Sequence, residues 1–270
     1  MNMPQFMIGT FQNKNYHELF GVVDAAVRAG FTGFDTAPSY GTEEQLGKAV
    51  QECANRYNLK RTDFYISDKV DAWQMREGNG NVETYVSKAV SMMNVQYLDL
   101  LLIHWPIAEY FPQTWNCMLQ LKEKNIVKEI GICNARVRHL KEWDEKGIYP
   151  SAIQIERHPL RTCEAEIRYC KDHDIKVLSY SPLCRMHIDI RNNKVLKEIA
   201  KKYGKNIGQI VLRWQIDTGC CPVFMSKKPT RILENIDILN FHLEYSEISA
   251  INQLNQDYKI FLESWGCPGF

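Results

Sequence analysis

Eight short apolar runs, each separated from the next by a longer segment with helical spacing, are the feature that most restricts how this chain can fold. The runs are QFMIGT (5–10), GFTGFD (30–35), DFYISDK (63–69), LDLLLIH (98–104), IVKEIGICN (126–134), SAIQIE (151–156), KVLSYS (176–181) and CCPVFMS (220–226). Between them, segments such as 16–30, 42–57, 82–94, 195–204 and 229–239 repeat apolar residues every three or four positions, the mark of a helix with one buried face. Gly30 and Gly204 are placed to end two of these helices and Pro229 to open another. Strands that alternate with helices predict parallel strands joined by helical crossovers. An open nucleotide-binding sheet would carry G-x-G-x-x-G between an early strand and helix. That motif is absent, as is the phosphate-binding G-x-x-x-x-G-K-[ST], so the prediction is a closed (β/α)8 TIM barrel, with residues 1–270 forming a single domain.

The bulk composition agrees. Of 270 residues, 45% are apolar and 24% charged, the profile of a chain with a sizeable core. A net charge of +1 gives no reason to expect nucleic acid or a membrane as partner, and no window is apolar enough to span a bilayer. The nine cysteines are odd in number and lack C-x-x-C or zinc spacing. With no secretory leader visible in MNMPQFMIGTFQ, these features point to a reducing, cytoplasmic location and no bound metal. No surface stripe stands out as an interface, so a monomer is expected while the oligomeric state stays open.

In a (β/α)8 barrel the active site is built at the C-terminal ends of the strands. Here the second run ends in Asp35 with Tyr40 in its loop, the third in Asp68 and Lys69, and the fourth in His104 and Trp105. The fifth ends in Cys133 and Asn134, the sixth in Gln154 to His158, the seventh in Tyr180 and Ser181, and the eighth in Ser226, Lys227 and Lys228. Taken singly each has an ordinary explanation: a turn aspartate, a lysine that snorkels to the surface, a hydrogen-bonded structural histidine. Seven polar ends gathered on one face make a site. An acid beside Lys69 holds it as a fixed cation, and that cation favours the phenolate of Tyr40, lowering its pKa from about 10. A neutral His104 imidazole can then orient a substrate oxygen by donating a hydrogen bond. The set suits carbonyl reduction, in which hydride reaches carbon and Tyr40 protonates oxygen.

GFDTAPSYGTEEQLGKA, the lysine of SDKV, DLLLIHWP, GICNA, QIERHPL and LSYSPL occur in an order and spacing that resemble the aldo-keto reductase family, from IGTF (8–11) to RILEN (231–235). The resemblance implies an NAD(P)H-dependent oxidoreductase with a catalytic tetrad of Asp35, Tyr40, Lys69 and His104. It implies that Cys133, Asn134 and Gln154 hold the nicotinamide carboxamide, that Tyr180 stacks on the ring and that Ser181 and Leu183 approach the pyrophosphate. It also places Ser226, Arg231, Glu234 and Asn235 around the adenosine end. Three features depart from the family pattern. Cys133 replaces a serine, and Met225 replaces a lysine that helps select NADP. The N-terminal hairpin is nearly absent, which predicts a less covered barrel bottom. Lys227 and Lys228 can supply the missing charge, so NADP(H) is favoured, with NAD(H) the alternative.

Trp105, Trp73, Phe261 and Trp265 are the expected substrate-pocket aromatics, for a small-molecule aldehyde or ketone. Two other readings remain open at this level. One is a cofactor-binding protein without turnover on the same barrel; the other is a metal-dependent hydrolase using Asp35, His104 and His158.

Overall fold

The computed structural model describes residues 3–76 and 79–262. Eight parallel strands close into a barrel in sequence order: β1 (Met7–Gly9), β2 (Gly33–Asp35), β3 (Tyr65–Val70), β4 (Leu98–Ile103), β5 (Val127–Cys133), β6 (Ala152–Glu156), β7 (Lys176–Tyr180) and β8 (Cys220–Phe224). Closure is made by β1 pairing with β8, Met7 opposite Val223. Seven of the eight predicted runs contain their strand, and β3 extends one residue past its run, to Val70. The helices expected at 16–30, 42–57, 82–94 and 195–204 appear as Tyr16–Arg28, Glu43–Tyr57, Asn79–Met93 and Lys194–Tyr203. The one expected over 229–239 stops at Ile236, and a further helix, Tyr245–Asn252, follows it.

Alternation along the strands sorts the core into two layers. Met7, Leu100, Leu102, Cys133, Leu178 and Cys221 pack together inside the barrel. Ile8, Phe34, Ile66, Leu101, Ile130 and Ile153 face the helices in a separate, larger cluster. Each buried aliphatic contributes about 1.5–3 kcal/mol by leaving water. Residues 3–6, ahead of β1, are not in a strand. The side chains of Met3 and Tyr65 pack against the interior cluster instead, so this end of the barrel is filled from within. Outside, helices 43–57 and 79–93 meet at Gly47, where an added Cβ would lie 2.4 Å from the backbone of Met93.

Strand β3 shows what alternation does to its charged residues. Ser67 and Lys69 point inward, while Asp68 points to the helix layer and hydrogen-bonds the buried Glu43 at the start of helix 43–57. Asp68, grouped by sequence with the other strand ends, therefore stands outside the barrel interior. Burial raises both carboxyls, Asp68 well above the usual range; the Glu43 charge raises Asp68 further, while the hydrogen bond from Asp68 lowers Glu43. The two share a proton. A group whose folded-state pKa is raised contributes its stability below the unfolded-state value, about 4 for these acids, and loses it as pH rises through the folded-state value. Asp68→Asn removes that loss. The variant is expected to gain about 1–2 kcal/mol on the wild type at pH 8 relative to pH 4. Urea unfolding of both proteins across this range checks it, and a constant difference between them would show that the pair shares no proton.

Candidate active site

The chain leaves β2 at Asp35, runs extended through Ala37, and makes a single tight turn at Pro38–Tyr40. Pro38 presets the backbone of the first turn residue, and Gly41 closes the turn at φ 62°, a left-handed conformation that glycine adopts without strain. A buried ring of hydroxyls fastens the loop from below: Thr10 and Thr36 are 3.0 Å apart, Thr36 and Thr42 3.0 Å, and Thr10 and Thr42 2.7 Å. Tyr40 is thus held over the barrel mouth by the ends of two strands and the start of a helix.

Beneath it, the Lys69 ammonium donates to Asp35 Oδ1 at 2.6 Å and to the Thr36 carbonyl at 2.8 Å. Asp35 Oδ2 accepts from Ser67 Oγ at 2.6 Å and Gln154 Nε2 at 3.0 Å. The Lys69 side chain is fully buried. Burial opposes its charge, but the Asp35 carboxylate wins and holds its pKa above the ordinary value. The ammonium lies 5.1 Å from the centre of the Tyr40 ring, and the His104 ring meets that ring edge-on at 5.9 Å. Asp35, Tyr40, Lys69 and His104 thus lie together at the barrel mouth.

One consequence differs from the sequence expectation. The pKa of Tyr40 is raised, because burial disfavours the phenolate by more than Lys69 favours it. Lys69 offsets part of that cost, and Tyr40 keeps its proton.

A cleft of about 1580 Å³ opens over these groups. Asp35, Tyr40, His104, Trp105, Cys133, Asn134, Gln154 and Tyr180 line its floor and near wall; Ser181, Leu183, Ser226, Lys227, Lys228, Arg231, Glu234 and Asn235 line its long arm. Asn134 is fixed on both sides, donating from Nδ2 to the His104 carbonyl at 3.0 Å and accepting from the Tyr180 hydroxyl at 2.8 Å. Burial keeps the Cys133 thiol protonated. Phe261 joins the wall edge-on to Tyr180, because Glu156 at the end of β6 accepts from the backbone N–H groups of Ile260 at 2.7 Å and Phe261 at 3.0 Å.

Two expected pocket residues are not part of this wall. Trp73 lies away from the cleft, edge-on to Tyr85 at 4.8 Å, because the short helix Ala72–Arg76 turns it outward. Trp265 lies outside the described residues. His158, needed for the hydrolase reading, turns to Glu156 at 3.0 Å and does not join Asp35 and His104. Among the described residues, no group of three or more His, Cys, Asp or Glu is arranged to hold a metal ion.

The structure also shows site residues that the sequence reading missed. Arg185, Arg191, Lys197, Lys201 and Lys205 join Lys228 and Arg231 along the arm of the cleft. Of these, Lys197 and Lys201 lie on helix Lys194–Tyr203, whose lysines read in sequence as an ordinary solvated face. Asp71, just after β3, accepts from the backbone N–H of Ser39 at 2.7 Å and lies 2.5 Å from His104 Nδ1. Burial works against its charge, but the hydrogen bonds from His104 and Ser39 prevail and hold its carboxyl below the usual range.

The cleft has room and chemistry for a dinucleotide: amide groups at the reacting end, a tyrosine ring beside them, and cations along the arm for phosphates. Comparison with known proteins agrees. Residues 5–256 match the Aldo/keto reductase family. The chain is 34% identical over 262 residues to the glyoxal reductase of Bacillus subtilis and 32% identical over 261 residues to the methylglyoxal reductase DkgA of Escherichia coli O157:H7. Each alignment covers 96% of this chain and 92% of the relative. Among solved structures it superposes on MGS-M4, an aldo-keto reductase from a deep-sea metagenome library, with a TM-score of 0.91 at 30% identity, covering 97% of this chain and 95% of the other. A Bombyx mori aldo-keto reductase in complex with NADP gives 0.89 at 28% identity, covering 97% and 93%. The chain belongs to the aldo/keto reductase family. It is an NAD(P)H-dependent oxidoreductase that reduces carbonyl groups to alcohols.

Proposed function

We propose that this reductase acts on small dicarbonyl aldehydes of the glyoxal and methylglyoxal type, uses NADPH in preference to NADH, and delivers the proton from Tyr40. The observation that carries the reading is the buried Lys69–Asp35 pair at 2.6 Å, placed under Tyr40 with His104 at its edge on the floor of the cleft. The bound nicotinamide supplies the hydride to the carbonyl carbon. Tyr40 gives its O–H proton to the carbonyl oxygen, and Lys69 stabilises the negative charge that develops on the phenol. Asn134 and Gln154 are in place to hold a carboxamide, Cys133 adds a weak donor, and Tyr180 offers a ring face.

The substrate class rests on similarity to the two reductases named above and on the aromatic surface of Phe11, Trp105 and Phe261, which suits a small, uncharged carbonyl compound. The preference for NADPH rests on charge. Met225 leaves its position neutral, while Lys227, Lys228 and Arg231 stand within the same stretch of the wall. Lys227 is 4.0 Å from Glu18, which leaves Lys228 and Arg231 as the better candidates for a phosphate. No described helix is long and apolar enough to cross a membrane. The eight described cysteines are free thiols, which suits the reducing cytoplasm.

The test follows the loss of reduced-nicotinamide absorbance with methylglyoxal and glyoxal, using NADPH and NADH in parallel. Arg231→Ala is expected to raise KM for NADPH by about tenfold or more, the effect of one charge-assisted contact, and to leave KM for NADH nearly unchanged. Equal KM values for the two cofactors in the native enzyme would refute the preference. Turnover of simple aldehydes without turnover of either dicarbonyl would refute the substrate class.

A further inference from the structure

Asp71 is attached to both groups that meet the substrate oxygen. Its Oδ2 accepts from Ser39, inside the turn that carries Tyr40, and its Oδ1 lies 2.5 Å from Nδ1 of His104. The carboxylate is nearly buried, and its own backbone N–H donates to Gln74 Oε1 at 2.8 Å, so the residue is fixed at both ends. A neutral imidazole with its proton on Nε2 would aim the bare Nδ1 lone pair at a carboxylate oxygen, acceptor against acceptor. This geometry therefore requires the proton on Nδ1. The sequence expectation, a neutral His104 that donates to substrate, does not survive it.

We propose that Asp71 is a positioning residue that decides which proton His104 can offer: with Nδ1–H committed to Asp71, the cleft-facing Nε2 donates to a carbonyl oxygen only when the ring is doubly protonated and ion-paired. The inference rests on the reductase reading of the site and adds a charged donor to it. In the reduction the carbonyl carbon takes a hydride from the bound nicotinamide, and of the protein's own bonds only the Tyr40 O–H breaks. Its proton goes to the alcohol, the phenol regains one from solvent, and His104 keeps both of its own. The groups that bear on the ring are Asp71 from the turn after β3, Tyr40 from the turn after β2, the Lys69–Asp35 pair behind Tyr40, and the Cys133 thiol at the end of β5. Tyr40 and Cys133 are both raised by burial, and Lys69 is raised by Asp35.

Two experiments decide the matter. In the wild type, kcat/KM for reduction should fall about tenfold per pH unit on the alkaline side, as Nε2 loses its proton. In Asp71→Asn, Ser39 N–H still claims the side-chain oxygen, so the amide NH2 faces Nδ1 and the neutral ring carries its proton on Nε2. The alkaline fall should then disappear, from a lower plateau. The same alkaline fall in both proteins would overturn the proposal. Nitrogen-15 NMR of the native enzyme with NADP⁺ bound, with His104 assigned by comparison with His104→Gln, needs no variant of Asp71. It should show both ring nitrogens protonated at low pH and only Nδ1 at high pH. A neutral ring protonated on Nε2 would overturn the proposal even if the enzyme turned over no dicarbonyl, which separates this failure from failure of the substrate assignment.

Discussion

Tyr40→Phe is expected to lower kcat for carbonyl reduction by about 10²–10⁴-fold, the usual worth of a positioned proton donor, and to leave cofactor affinity intact. The ring stays, so its edge contacts with Phe11 and His104 stay, and only the hydroxyl is lost. The Tyr40 hydroxyl is not part of the threonine ring that holds its loop, so the turn should keep its shape. Cofactor titration by fluorescence, run beside the turnover assay, separates a chemical defect from a binding defect. A variant with native turnover would assign the proton to another group, and His104 would be the first to examine.

Lys69→Met should strike both stability and rate. The ammonium is fully buried and paired with a buried carboxylate, so its removal leaves Asp35 charged and without its cation. Breaking a buried pair in this way costs about 3–5 kcal/mol, a large share of the stability of a domain. Adding Asp35→Asn to Lys69→Met should return most of that stability, since neither charge is then left alone. Turnover should stay low, because nothing then steadies the phenolate of Tyr40. Urea unfolding and kcat measured on the two single variants and the double form a complete cycle. Recovery of rate along with stability would mean that Lys69 holds the fold and does nothing for the chemistry.

Much of this was legible in the sequence, for a physical reason. Each strand is a short apolar run because both of its faces are buried, and each ends in polar residues because the barrel mouth is where the packing stops. Asp35, Lys69 and His104 therefore stood out by position as well as by type. What escaped notice depended on contacts between distant segments. Asp71 precedes a helix, where an acid reads as a cap, yet its side chain crosses to Ser39 and His104. Lys197 and Lys201 lie on an amphipathic helix whose polar face borders the cleft where solvent would be assumed. The direction of the Tyr40 shift was missed because sequence names the neighbouring cation and is silent on the burial that outweighs it. Trp73 was an aromatic in the right loop that faces the wrong way.

The alternation along β3 also bears on how the chain reaches its fold. Ser67 and Lys69 face the interior while Ile66, Asp68 and Val70 face the helices, and the strand is held by Asp68 opposite Leu101 and Lys69 opposite Leu102. A slip of one residue would turn every side chain to the other surface. The ammonium would be driven among the aliphatic residues of the helix layer, and the carboxyl would enter the barrel beside Asp35. An unpaired buried ammonium costs several kcal/mol and a second carboxyl beside Asp35 adds like-charge repulsion, so a misregistered sheet is strongly disfavoured. The buried cation beneath Tyr40 thus also disfavours misregistered assembly of the barrel.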